Sequence, residues 1–315
     1  MPTGLTLVNA GRIAFAPGGA GVDVLSGFSA SVTNQTGGTI SGSTAAIYAS
    51  GTVTVLNAGG IAANGTSGVG VKLLAGGSVT NQSGGTISAY IGIAGTGTGT
   101  GTGAAVTVLN AGSIAGSTTG AYGAGVYLSA GGSVTSQGGG AISGHDGIVG
   151  SGAPVAVVND GGVTAVGTYG RGVDLFAGGS VTNQSAGTVS GFRGIYGTGG
   201  AVAVVNDGRI AGAPADAGST GVDLVSGGSV TNAAKRDTSK ALTPATRREW
   251  FCRKLPGRTQ GNRVKASPSV SWPADPRIKS GDGHDTGAKS CVCDVHPIAL
   301  GRTCDPRQLS DRWAE

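Results

Sequence analysis

The 315-residue chain reads as an all-β protein, a single-stranded parallel β-helix or solenoid of about ten coils. Three observations predict that class. A Val-x-Asn core recurs along most of the chain at nearly even spacing, and fixed-period self-similarity of this kind marks repeat architectures. Apolar residues around that core alternate with a period of two, the pattern of a strand. Gly accounts for 64 residues and recurs every few positions, which disfavours helix at about 1 kcal/mol per Gly relative to Ala. No strict Gly-X-Y period is present, so collagen is excluded. Charged residues make up 12%, too few for a chain kept disordered by its charge.

The anchors of the repeat are Asn9, Asn34, Asn57, Asn81, Asn110, Ser136, Asn159, Asn183, Asn206 and Asn232, separated by 23 to 29 residues. Two phrases carry them. One is GVKLLAGGSVTNQSGGTISA at Gly70–Ala89, which returns at Gly125–Gly144 and Gly172–Gly191 and begins again at Gly221. The other is TVTVLNAGGI at Thr52–Ile61, which returns at Ala105–Ile114 and Ala201–Ile210. A unit of about 24 residues accommodates two or three short strands and tight turns, one coil of a parallel β-helix.

Each part of the coil follows from its residues. Val71-Lys72-Leu73, Val126-Tyr127-Leu128, Val173-Asp174-Leu175 and Val222-Asp223-Leu224 place a variable residue between two apolar ones, hence a strand with a core face. Gly and Asn are expected at the corners, since both tolerate positive φ. Stacking places equivalent residues about 4.8 Å apart, so ten coils span on the order of 48 Å. Val and Ile then form inward columns, and the anchor Asn residues form a ladder of side-chain amides broken only at Ser136. Parallel crossovers favour a right-handed coil. The longest spacing, Asn81 to Asn110, contains GTGTGTGTG at Gly95–Gly103, read as a surface excursion.

The net charge of +5 belongs to one end of the chain. Residues 1–232 hold 58 Gly, five Lys/Arg and seven Asp/Glu, for a net charge of −2. Residues 233–315 hold 16 Lys/Arg and nine Asp/Glu, together with all four Cys and all three Trp. Two segments are therefore assigned: a repeat domain over 1–232 and a basic tail over 233–315, expected to be disordered. The repeat stops in mid-phrase at Asn232, so the tail is read as out-of-frame coding after a frameshift or insertion.

Candidate chemistry is sparse. The repeat domain holds no Gly-x-Ser-x-Gly, His-Glu-x-x-His or Walker motif and no Cys. Its single His, His145, beside Asp146, is read as part of a surface turn. The row Asp23, Lys72, Tyr127, Asp174, Asp223 is expected to point outward. Asp174 and Asp223 fall two coils apart, roughly 9.6 Å, too far to share a calcium ion. Asn34, Asn81 and Asn183 head Asn-x-Ser/Thr triplets, but as ladder residues they are expected to point inward. In the tail, Cys291, Cys293, His296 and Cys304 lack the spacing of a zinc site and are read as exposed thiols. The basic run from Arg247 to Lys265 is read as solvated rather than as a nucleic-acid surface. No catalytic, cofactor-binding or metal-binding residues are assigned, and no cofactor is expected.

The alternating VTNQSGGTISG and VVNDGxIxG phrases resemble the passenger domains of bacterial autotransporter adhesins and related secreted β-helix surface proteins. The resemblance covers residues 1–232. It implies export across the outer membrane, a cell-surface or extracellular location, and adhesion to host or bacterial surface glycans or proteins. With no signal peptide and no translocator barrel in view, the chain is read as a fragment of a longer passenger. A non-enzymatic stalk or adhesin is thus expected. The alternatives are a pectate-lyase-like enzyme acting on polysaccharide, which would need clustered carboxylates, and a non-functional remnant of a truncated gene. No transmembrane helix is expected.

Overall fold

The computed structural model describes residues 4–15, 18–97, 104–120, 122–213 and 218–233, with the short strands Phe251–Cys252 and Cys293–Asp294. Among these residues every regular element is a strand. Three parallel sheets wrap one core. The first has ten strands, from Leu5–Asn9 to Gly228–Asn232. The second has nine, from Arg12–Ala14 to Arg209–Gly212, and the third has nine, from Ala20–Val24 to Thr220–Leu224. Each coil contributes one strand to each sheet in turn, so the ten anchors correspond to nine complete coils and one further first-sheet strand. Nine spacings between first-sheet strands amount to about 43 Å.

The anchors lie in register, Asn9 beside Asn34, Asn34 beside Asn57, and so on to Asn206 beside Asn232. Inside, the columns are almost purely aliphatic. Val32, Val55, Val79, Val108, Val134, Val157 and Val181 line the first sheet, and Ile40, Ile61, Ile87, Ile114 and Ile142 line the second, all essentially inaccessible to water. Burying each such side chain is worth about 1.5–3 kcal/mol, which offsets the ordering of a Gly-rich backbone.

The two alternating phrases have a packing cause. One core column of the third sheet reads Leu73, Gly95, Leu128, Gly150, Leu175, Gly197, Leu224. A first-sheet column alternates likewise: Val53, Gly77, Val106, Gly132, Val155, Gly179, Val202, Gly228. Large residues of one coil fill the space over glycines of the next. A Cβ on Gly150 would sit 2.7 Å from Val155 Cγ2 and 3.1 Å from Leu175 Cδ2. The structural repeat is therefore a pair of coils.

Glycine also acts where the sequence places it at corners. In the Ala-Gly-Gly-Ser turn, Gly76 and Gly77 have φ of 78° and 132°, and three later copies repeat the pair. Asn does not share that role. Among the described residues the positive-φ positions are glycines and Tyr169, so the expectation that Asn turns the corners is corrected. Asn is held by its side chain instead.

That side chain builds the expected ladder. Asn9 Nδ2 donates to Asn34 Oδ1 at 2.8 Å, and the same bond joins Asn34 to Asn57, Asn57 to Asn81 and Asn159 to Asn183 at 2.8 Å. Asn34, Asn81 and Asn183 are buried, as expected for their triplets. Most of these amides also close their own corner. Asn57 and Asn159 donate to the carbonyl two residues on, at Gly59 and Gly161, whereas Asn34, Asn81 and Asn183 donate four residues on, at Gly38, Gly85 and Gly187. Asn-x-Gly and Asn-Gln-x-x-Gly are thus two ways of satisfying one buried amide.

Ser136 interrupts the ladder as expected. Its hydroxyl turns to Gly140 O at 3.4 Å, and Asn159 Oδ1 above it is buried without a donor from the protein. An unmet buried acceptor costs about 1–3 kcal/mol. Ser136→Asn is accordingly expected to stabilise the protein by about 1–2 kcal/mol, measured as a higher urea midpoint at unchanged slope.

The Gly95–Gly103 excursion begins later than the sequence indicates. Gly95 is the last residue of strand Ile91–Gly95, buried opposite Leu73 and Leu128. Residues 98–103 lie outside the described residues. So do most of 233–315, including the expected disorder, the frameshift reading, the basic run and the Cys291, His296 and Cys304 side chains. Within that segment Phe251–Cys252 pairs antiparallel with Cys293–Asp294.

Candidate functional site

Side chains at the fourth position of each third-sheet strand leave the core face, because strand residues alternate. The row in register is Asp23, Tyr48, Lys72, Ala94, Tyr127, Val149, Asp174, Tyr196, Asp223. The sequence-predicted row contains five of these. It misses Tyr48, Ala94, Val149 and Tyr196, which belong to the intervening coils. Asp174 and Asp223 are indeed two coils apart, with Tyr196 between them.

Asp174 departs from the expectation of an outward residue: it is 1% exposed. Arg171, at the start of the same strand, folds over it, with Nη1 donating to Asp174 Oδ2 at 2.6 Å. One coil on, Arg193 occupies the slot in register with Arg171, and its Nε lies 2.9 Å from Asp223 Oδ2. Both guanidiniums stack on Tyr196, at 4.3 Å and 4.7 Å from the ring centroid. Phe176 and Phe192 flank the pair, 5.9 Å from Arg171 and 5.4 Å from Arg193. Each cation–π contact of this kind contributes about 0.5–1 kcal/mol, more when desolvated.

Burial raises the Asp174 carboxyl from its ordinary 3.8 to about 6, against the opposing charge and hydrogen bond of Arg171. Asp146 pushes in the same direction as burial, and Arg193 opposes it. Desolvation therefore outweighs the ion pair. The folded pKa exceeds the unfolded one, so protonation stabilises the fold. That contribution is complete below pH 3.8 and is lost as pH rises through about 6. Asp174→Asn should remove this dependence and make the protein more stable at pH 8 by about 1–3 kcal/mol. Comparing urea midpoints of variant and parent at pH 4 and pH 8 measures it: the gap must widen at pH 8.

His145 and Asp146 adjoin this row. His145 lies in the expected bend between two strands, with its ring partly covered at 17% exposure and packed over Gly167. His145 Nδ1 lies 3.4 Å from Asp146 Oδ2 without hydrogen-bond alignment. Asp146 Oδ1 accepts a 2.7 Å bond from the Arg171 backbone N–H, so this carboxylate anchors the next coil.

At the corner between second and third sheets, Tyr169 is 67% exposed and adopts φ of 61°, which non-Gly residues seldom take. Its ring meets Phe192 edge-on, with centroids 4.9 Å apart and planes at 82°. Beside Phe192 an open cleft of about 290 Å³ is lined by Val166, Ser190, Arg209 and Ala211 among others. Of the five Lys/Arg in residues 1–232, three, Arg171, Arg193 and Arg209, surround these aromatics.

Sequence reasoning named Asp174 and Asp223 but missed Arg171, Arg193, Tyr196 and Phe192. A signal was present. Arg171-Gly172-Val173 and Arg193-Gly194-Ile195 place Arg in one slot, visible once both phrases share a register. Among the described residues no group of three His, Cys, Asp or Glu is arranged to hold a metal ion, and no helix is long and apolar enough to cross a membrane. No protein-family model matches the chain, and neither a curated protein nor a solved structure is significantly similar to it.

Proposed function

We propose that this protein is a non-enzymatic β-helix of the cell surface or extracellular space, acting as a stalk or adhesin in the manner of autotransporter passengers. The observation that carries the reading is the continuity of the rod. Nine coils stack with every sheet unbroken, and parallel pairing joins each strand to the next coil. A quasi-one-dimensional solenoid of this kind presents a long surface and holds it rigidly away from its attachment. The surface itself suits contact rather than solvation by charge. The ten first-sheet strands contain no charged residue, and their outward positions carry Ser31, Thr54, Ser78, Thr107 and Ser133 in register.

Antibodies against residues 1–232 test the location on intact cells of the source organism. Labelling without permeabilisation, abolished by added protease, is the expected result. Labelling that requires permeabilised cells, with nothing in the medium, overturns the proposal.

A further inference from the structure

We infer that the aromatic–arginine cluster on coils seven to nine is a binding site for an uncharged oligosaccharide. The inference rests on the surface-contact role proposed above and assigns it a place. Four of the ten aromatic residues in 1–232, Tyr169, Phe176, Phe192 and Tyr196, fall between residues 169 and 196. Tyr169 and Phe176 are 67% and 40% exposed, large ring surfaces that gain by leaving water. The C–H face of a pyranose ring stacks on such a surface without needing charge.

Sugar hydroxyls need both donors and acceptors beside the ring, and the cluster supplies them in fixed positions. Arg171 and Arg193 are held by Tyr196 and by Asp174 and Asp223, so their planes are ordered before any ligand arrives. Ordering in advance lowers the entropy cost of binding. The Arg171 and Arg193 side chains nonetheless stay 26% and 27% exposed beside the rings, where a ligand can reach them. The strip continues from Phe192 into the cleft lined by Arg209 and Ser190.

Charge decides the ligand class. The guanidiniums of Arg171 and Arg193 are each paired with a carboxylate, Asp174 and Asp223, and beyond those pairs the cluster adjoins one more carboxylate, Asp146, and one more guanidinium, Arg209. A balanced site offers no net attraction to a polyanion, whereas interleaved donors and acceptors match the vicinal hydroxyls of a neutral hexose chain.

Saturation-transfer NMR and calorimetry on the full chain test this with cellohexaose, mannohexaose and maltohexaose, against a hexagalacturonate of equal length. At least one uncharged hexasaccharide is expected to bind, more tightly than the acidic one. Phe176→Ala and Tyr169→Ala should each weaken it by about tenfold. Phe28→Ala and Tyr122→Ala, which remove exposed aromatics on other coils, should not. Phe176 lies at an exposed corner, so its variant keeps the test open if Tyr169→Ala alters the circular dichroism spectrum. Binding by none of the uncharged probes, tighter binding of hexagalacturonate, or binding unchanged in Phe176→Ala each overturns the inference. Absent binding together with positive labelling of intact cells removes this site alone. Labelling only after permeabilisation removes the role on which it rests.

Discussion

Leu128→Ala is expected to destabilise the solenoid by about 4–5 kcal/mol, the upper end for a Leu truncation. The usual relief for such a cavity is inward movement of neighbouring side chains. Here the residues stacked directly below and above Leu128 are Gly95 and Gly150, which have none to move. Val106, Val134 and Val155 in the surrounding columns are β-branched and already fully packed. The cavity therefore stays open. Because each coil contacts chiefly its neighbours, the loss should concentrate around coils four to six. Hydrogen exchange should show faster amide exchange in Ile91–Gly95, Ala124–Leu128 and Asp146–Gly150 than in Ala45–Ala49. An unfolding free energy, from urea titration, within about 1 kcal/mol of the parent would mean that the Leu–Gly alternation is not a packing device.

Asn57→Ala should cost about 3 kcal/mol. The Asn57 amide donates to Asn81 Oδ1 at 2.8 Å, Gly59 O at 3.1 Å and Thr86 O at 3.2 Å, and accepts from Asn34 Nδ2 at 2.8 Å. All of this lies away from water, so truncation strands an amide oxygen above and weakens the satisfaction of a donor below. Each unmet buried group costs about 1–3 kcal/mol, less where an alternative partner remains. Asn34 keeps Gly38 O and Gly60 O, which limits the damage on that side. Thermal unfolding monitored at the β-sheet band measures the loss. Asn57→Asp is a stricter test, since it retains an acceptor but removes the donor and adds buried charge, and it should be worse than alanine.

These two positions mark what was legible in the sequence. The ladder could be read directly, because ten anchors at near-even spacing leave a parallel stack as the arrangement that pairs them all. Leu128 could be recognised as apolar and inward, but its exceptional isolation could not. Gly95 and Gly150 become its neighbours only when coils are laid in register, and along the chain Gly95 reads as the start of the Gly-Thr excursion. The candidate site was legible to a similar depth. Asp174 lies in the row that the sequence predicts but is buried rather than outward, because Arg171, three residues earlier on the same strand, covers it. His145 lies in the turn the sequence predicts, but the residue its ring rests on, Gly167, lies one coil away.

The sequence by itself determined the class of fold, the number of anchors, the inward Asn ladder and its break at Ser136. Those follow from period and alternation, properties that a linear chain displays. Tertiary structure decided that the true repeat is a pair of coils, that Asp174 is buried beneath Arg171, and that Tyr169, Phe192, Tyr196 and two arginines form one surface. The physical reason is the same in each case. Stacking brings residues 21 to 33 positions apart into register about 4.8 Å from one another, so side-chain volume, stacking and charge balance are settled between coils rather than along them.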